Sequence, residues 1–381
     1  MSGWQTVRVL AATSLLMDVS GEMVTALLPF VLAGAGASGL AIGFVAALSE
    51  AIGHLSKWVG GRLGDRIRRQ RPLVAAGYLG AALARVGLAT ATAWPAVLGW
   101  RSLDRIGKGM RTAPRDAILS QALPARERGR AFAFHRAADT AGAVLGILLL
   151  LALLAWTRLG PGGALWVAAV AGLAAALPLA WLKEPTARPR YAPDERPHPS
   201  FRAYVAVGCL VALFHAAPTF FLLRAGSDGI LPAVGWYLLF NVTYAAGAYP
   251  IGAWADQHGK PRVLAAGCVL LALACVLLAW SDGPLALGGG FFLLGLGFAA
   301  SEGTGRALAA DLAGSRTGTA LGVYHAAAGL AALAGGLAGG ALLDAQGPAW
   351  LFGGFAAAGA VAAVAVVAWQ RLSGAPGVPT A

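Results

Sequence analysis

Apolar runs close to 20 residues long follow one another from end to end of this 381-residue chain, and nothing else in it constrains the fold as strongly. A run of that length is what an α-helix needs to cross the ~30 Å hydrocarbon core of a bilayer. The composition agrees. With 58% hydrophobic and 12% charged residues and a mean hydropathy of +0.67, the chain lies outside the range of soluble globular domains.

Pattern alone places twelve spans, near residues 7–32, 40–61, 73–93, 94–120, 131–156, 165–182, 202–223, 231–254, 263–281, 285–310, 319–343 and 349–370. The sequence therefore predicts an all-α polytopic membrane protein of twelve transmembrane helices. Between the sixth and seventh spans the composition changes abruptly to charge and proline. Residues 184–200 read as a solvated linker between an N-terminal half, 1–183, and a C-terminal half, 201–381. The first span carries Asp18 and Glu22 and no small-residue cleavage site, so it reads as a retained helix and not a signal peptide.

The formal net charge of +12 does not point to nucleic acid, because the basic residues form no patch interleaved with aromatics. They fall in alternate loops: Arg62, Arg66, Arg68, Arg69 and Arg71; Arg126, Arg128 and Arg130; the linker; Lys260 and Arg262. That alternation orients a multi-pass protein of the bacterial inner membrane with both termini in the cytoplasm. Cys209, Cys268 and Cys275 sit inside apolar spans without metal spacing and read as small hydrophobes.

The chain also repeats itself. Gly61-Arg62-Leu63-Gly64-Asp65-Arg66, then Arg71-Pro72-Leu73-Val74-Ala75-Ala76-Gly77, is echoed by Gly252-Ala253-Trp254-Ala255-Asp256-Gln257, then Pro261-Arg262-Val263-Leu264-Ala265-Ala266-Gly267. Gly129-Arg130-Ala131-Phe132 is echoed by Gly318-Thr319-Ala320-Leu321. Each offset is about half the chain, so two pseudo-symmetric six-helix halves are expected, with a solute site between them near mid-membrane.

On these motifs the chain resembles the major facilitator superfamily of secondary transporters. The resemblance rests on Gly61-x-x-x-Asp65-Arg66-x-x-Arg69, its weaker copy Gly252-x-x-x-Asp256, and Arg105-Ile106-Gly107-Lys108-Gly109 in the fourth span. It implies a cytoplasmic gating role for Gly61, Asp65, Arg66, Arg69 and Asp256. For Arg105 it implies a place in proton coupling. Asp18 to Met23 and Asp104 to Asp116 resemble a bacterial permease subgroup with no assigned substrate. The fifth span departs from the superfamily's antiporters. Gly142-Ala143-Val144-Leu145-Gly146 has neither the proline nor the paired glycines of their signature, and its plain reading is a small-xxx-small packing face.

Ionisable groups inside a membrane span are costly and are functional candidates by default. The most charged stretch runs from Arg101 to Gly146, where Arg101, Arg105 and Lys108 share one helical face and His135 and Asp139 share another, beside Arg136. Asp18 and Glu22 lie one turn apart, and two carboxylates there cannot both ionise comfortably without a cation. That suits a proton carrier or a cation seat, against the alternative of a static network with Arg105, Lys108 or Arg136. Met17 and Met23 flank the pair, but their spacing fits core packing better than metal ligation. Glu50, His54 and Lys57 continue a stripe in the second span. The C-terminal half offers His215, Asn241, Tyr244, Glu302, Arg306 and His325; Glu302 and Arg306, at i and i+4, read first as a self-compensating pair. Single polar side chains on apolar helices often bridge helices and bind nothing.

No P-loop, catalytic triad or cofactor motif is visible, so neither direct ATP drive nor an enzyme is expected, and no cofactor is needed. The expected activity is alternating-access transport of a small solute coupled to protons, with efflux the favoured direction, by a monomer embedded in the lipid bilayer. A cation or metal-ion transporter built on Asp18 and Glu22 is the alternative, and a receptor or enzyme on the same scaffold is the competing class.

Overall fold

The structure, a computed structural model, describes residues 3–67, 69–124, 127–157, 159–182, 198–281, 283–313 and 317–373. Helix makes up 92% of it, and no strand occurs among the described residues. The helices are α1 (Gly3–Gly34), α2 (Gly39–Arg66), α3 (Arg71–Thr90), α4 (Trp94–Ala122), α5 (Arg128–Trp156), α6 (Pro161–Ala174), α7 (Phe201–Ala212), α8 (Ala217–Ala225), α9 (Ile230–His258), α10 (Lys260–Trp280), α11 (Pro284–Leu312), α12 (Thr317–Gln346) and α13 (Pro348–Ser373). A 3₁₀ turn at Leu213–Ala216 joins α7 to α8, and the two form one apolar span.

Eleven of the twelve spans are long and apolar enough to cross a membrane by length and composition. The twelfth, α4, is too charged. It is accommodated because its charges turn inward: Arg101, Asp104, Arg105 and Arg111 are all buried. Of the expected linker only His198, Pro199 and Ser200 fall within the described residues, and there the His198 N–H donates to Leu312 O at 2.8 Å. The linker basics from Lys183 to Arg196, together with Arg68, Arg126 and Arg158, lie outside them.

The chain forms two compact units, Met1–Gly36 with Ile52–Tyr191, and Ala37–Ala51 with Ala192–Ala381. Each repeats the same contacts. In the first, α1 packs on α5 and α6, and α3 on α4 and α6. In the second, α7 packs on α12 and α13, and α10 on α11 and α13. Small residues set these distances. A Cβ on Gly142 or Gly146 of α5 would stand 2.4 Å from Leu15 O or 2.3 Å from Val19 O of α1. In the second unit one on Gly335 of α12 would stand 2.4 Å from Leu213 O. The repeated glycines Gly77 and Gly267 occupy matching crossings, against Gly107 O and against Ala300 and Ser301 N. The small-residue face of the fifth span is therefore a packing face, where backbones meet without side chains between them.

Turns are equally economical. A single residue, Gly259, separates α9 from α10 with φ at 97°, a left-handed conformation that other residues adopt only under strain. The first part of α2 belongs to the second unit. Its N-terminus receives a remote cap, with Gly39 N and Leu40 N donating to the Asp344 carboxylate of α12 at 2.7 and 2.8 Å, while Ser38 Oγ accepts from Ala41 N at 3.2 Å. A carboxylate fits there because it meets both the orphan N–H groups and the positive end of the helix dipole.

Candidate functional site

The charged layer of the first unit centres on Asp104, a residue to which the sequence alone assigned no role. Its carboxylate is wholly buried and meets three guanidinium groups. Arg85 Nε of α3 lies 3.0 Å from Oδ1, Arg101 Nη1 lies 3.0 Å from Oδ2, and Arg105 Nε lies 3.6 Å from Oδ2. Arg85 reaches further, donating from Nη1 to Met17 O of α1 at 2.8 Å. Gly21 and Gly172 make room for it, since a Cβ at either would come within 3.2 Å of Arg85 Nη2 or 3.4 Å of Arg85 Cδ. Arg101 donates from Nη2 to Thr25 Oγ1 at 3.1 Å, and that hydroxyl donates to Gly21 O at 2.9 Å. One carboxylate thus ties α1, α3 and α4 together through charged hydrogen bonds. Burial of such a charge is tolerated because opposite charge and hydrogen bonds surround it this closely.

Arg105 therefore approaches Asp104 on its own helix, while the counter-charge seen at Asp18 is Lys108, Nζ to Oδ1 at 3.7 Å. That second pair is looser and wetter, with side-chain exposures of 41% for Lys108 and 21% for Asp18. Glu22, one turn along α1, is half-buried, as are His54 of α2 and Glu50, which falls among the residues of the second unit. Met17 and Met23 are fully buried, and Met17 belongs to the apolar core of α1, α3 and α4. Among the described residues no three His, Cys, Asp or Glu side chains group as metal ligands.

Towards the far end of α4 a second polar layer follows. Arg111 lies over the Tyr78 ring at 4.0 Å. Arg115 holds Asp116 at 2.8 Å and donates to Ser14 Oγ at 3.3 Å. His135 is buried and pairs with Asp139, Nδ1 to Oδ1 at 3.4 Å, whereas Arg136 of the same helix is exposed. Of the residues assigned a gating role, Arg66 and Arg69 are exposed, and a Cβ on Gly61 would make only ordinary contact with Ala113. The Asp65 side chain lies outside the described residues. Asp256, in the weaker copy, is exposed and sits 3.7 Å from Lys260, which also binds Asp311 at 2.6 Å.

The second unit assembles a different set. Tyr244 OH donates to Glu302 Oε2 at 2.9 Å, and Arg306 Nη2 lies 3.4 Å from Glu302 Oε1. Tyr237, Phe240 and Tyr244 stack along one face of α9 at 5.5 and 6.3 Å. Phe298 stands edge-on to Phe240 at 5.6 Å, with His215 beyond it at 6.4 Å. Asn241 instead donates to Tyr237 O of its own helix at 3.0 Å, and His325 packs against Tyr324. The structure thus brings His215, Tyr244, Glu302 and Arg306 into one aromatic-walled cluster, with Asn241 bonded to the backbone of its own helix and His325 packed against Tyr324.

The sequence that forms this doubled six-helix scaffold matches the family model of the Major Facilitator Superfamily over residues 10–236 and 229–380. The chain belongs to the major facilitator superfamily. It is 30% identical over 354 residues to an uncharacterised MFS-type transporter of Methanocaldococcus jannaschii, with 86% of each chain covered. Among solved structures it superposes on a peptide transporter in complex with sulfate with a TM-score of 0.81 at 16% identity, over 97% of this chain and 95% of that one. The nucleoside transporter NupG gives a TM-score of 0.78 at 15% identity, over 96% and 99%. At such identities these two show the fold. Superfamily membership assigns the chain to transport across a membrane, with a bilayer and a small molecule as its partners.

Proposed function

We propose that the chain is a proton-coupled secondary transporter that exports a small solute by alternating access, with Asp18 as the principal proton carrier and Glu22 and Glu50 as further acidic positions. The observation that carries this reading is the contrast between Asp18 on α1 and Asp104 on α4. Asp104 is locked by three arginines, and protonating it strands their charge in the interior. Asp18 faces the Lys108 ammonium group across 3.7 Å in a partly exposed setting, a looser pairing that suits an exchangeable role. Freed by protonation, Lys108 becomes available to a solute acceptor group, which couples the two events. Basic loops after the second and eighth spans support cytoplasmic termini in an inner membrane, with Arg66, Arg69 and Asp256 acting at the cytoplasmic gate. The second unit's cluster at Tyr244, Glu302 and Arg306 contributes to solute selectivity.

The test is counterflow and gradient-driven flux of a solute panel in proteoliposomes. Solute exchange without a pH gradient should survive in Asp18→Asn, while acceleration by the gradient should fall at least about tenfold. Gradient-driven flux undiminished by Asp18→Asn and Glu22→Gln together overturns the coupling assignment.

A further inference from the structure

An open groove of about 400 Å³ runs between α10 and α13 in the second unit. Its floor and walls are short side chains, Ala265, Ala266, Ala363 and Ala368, flanked by Val269, Val364 and Val367, and Arg371 closes one end. The two helices are antiparallel there: a Cβ on Gly359 would touch Ala272 Cβ at 2.9 Å and Cys268 O at 3.1 Å, while the later residues Ala363 to Ala368 of α13 line the groove with the earlier residues Ala265 to Val269 of α10. Arg371, three turns beyond Gly359, therefore lies across from the first turn of α10. Arg262 stands in that turn, on the same stripe as Ala265, Ala266 and Val269 at i+3, i+4 and i+7. Two arginines thus mark one mouth of an apolar channel. Both are exposed, and neither has an ion-pair partner among the described residues, unlike Lys260 beside them, which is held by Asp311 and Asp256.

The helices also fix the depth of that mouth. Exposed Trp280 ends α10 and exposed Trp350 opens α13, both at the opposite end. Helix rise puts about 27 Å between Arg262 and Trp280 and about 32 Å between Trp350 and Arg371, the thickness of a bilayer's hydrocarbon core. With the tryptophans at one interface, the two guanidinium groups stand at the headgroup level of the other, and the groove runs from them into the acyl region.

From this we infer that the α10–α13 groove is a binding site for an anionic phospholipid, its phosphate held by Arg262 and Arg371 and an acyl chain lying along the alanine and valine floor. The charge is what selects the lipid. A zwitterionic headgroup brings its own cation to two arginines that have no ion-pair partner among the described residues, whereas a glycerol-linked phosphate brings none. The short side chains provide width for one chain, and planar guanidinium groups suit phosphate oxygens.

The experiment uses the full chain, purified and stripped of lipid in a neutral detergent. Its melting temperature is read with phosphatidylglycerol, with phosphatidylcholine of the same acyl chains, and with inorganic phosphate. Phosphatidylglycerol should raise the melting temperature by about 3 °C or more over phosphatidylcholine, and phosphate alone should not. The preference should vanish in Arg262→Gln/Arg371→Gln. It should also vanish in Ala266→Leu, which fills the groove and keeps both arginines. Equal stabilisation by the two lipids, persistence of the preference in either variant, or full reproduction of it by phosphate overturns the site.

Discussion

α4 and α11 occupy equivalent places in the two units, each packed on its neighbour through repeated glycine crossings, yet they handle charge in opposite ways. α4 shares its carboxylate between helices: Asp104 is wholly buried and binds Arg85 of α3 as well as Arg101 and Arg105. In its middle α11 pairs charge within one helix, Glu302 with Arg306 one turn away at 3.4 Å, both more than a third exposed, and its charged link to α10, Asp311 with Lys260, lies at the helix end. The Tyr244 hydroxyl connects that pair to α9 through a neutral donor. Duplication of the scaffold thus required the small residues at the crossings and did not require the charges. The buried inter-helix network centres in the first unit on a single aspartate.

The comparison breaks most severely at Asp104. Asp104→Asn leaves buried arginines without their anion, and removal of one partner from a buried ion network costs about 3–5 kcal/mol. Thermal unfolding followed by tryptophan fluorescence in detergent should show it as a large drop in melting temperature or loss of monodisperse protein. Arg85→Met in the same chain should restore part of the loss, because it removes one of the stranded charges. A single Asp104→Asn variant as stable as the wild type removes the hub from the account of the first unit.

The shared scaffold is tested by its glycines. Gly146→Val drives a side chain into Val19 O, where a Cβ would already stand at 2.3 Å, and overpacking of this kind costs about 1–3 kcal/mol or more. Gly335→Val should do comparable damage in the second unit, against Leu213 O. Gly303→Ala, whose Cβ would meet nothing within 4 Å, is the neutral control. Unequal damage at Gly146 and Gly335, measured by the same melting assay, shows that the two copies do not rely on their crossings alike.

This division also explains what could be read without coordinates. The twelve spans follow from run length, and the structure extends them mostly by a few polar residues at the ends, such as Arg66 of α2 and Lys260 of α10, because a helix continues past the apolar segment into the interface. The packing role of Gly142 and Gly146 follows from their spacing. The hub does not follow in the same way. Arg85 is one arginine in an apolar third span, and only the general rule that intramembrane charge has a partner marks it. Asp104 is sequence-adjacent to Arg105 and three residues from Arg101, so it reads as local pairing; its meeting with Arg85 depends on how α3 is rotated against α4. Likewise no local pattern joins Asp344 to Gly39 and Leu40, since they are some 300 positions apart and meet only through tertiary packing.

Asp344 is the next step down in effect. Loss of a side-chain cap on a helix N-terminus costs about 1 kcal/mol, and Asp344→Ala removes both acceptors from α2 while Ser38 remains on Ala41 N. Hydrogen exchange of the Gly39 and Leu40 amides should accelerate, with the rest of α12 unchanged. Protection retained at both amides excludes the cap as what orders this end of α2.

The smallest effect is expected where the comparison began, on α11. Glu302→Gln keeps the size of the side chain and an oxygen for the Tyr244 hydroxyl, but removes the charge facing Arg306. Both groups are substantially exposed, so the pair contributes less than about 1 kcal/mol and is further screened by salt. The melting temperature should therefore move little, in contrast to Asp104→Asn, whose loss reflects burial. Any larger consequence should surface in solute recognition, because Arg306 then presents an uncompensated cation beside the Tyr237, Phe240 and Tyr244 stack. Flux of anionic solutes in the proteoliposome panel should rise relative to cationic ones. A stability loss as large as that at Asp104 shows that the charge on α11 is structural too, and that the two copies differ less than their geometry indicates.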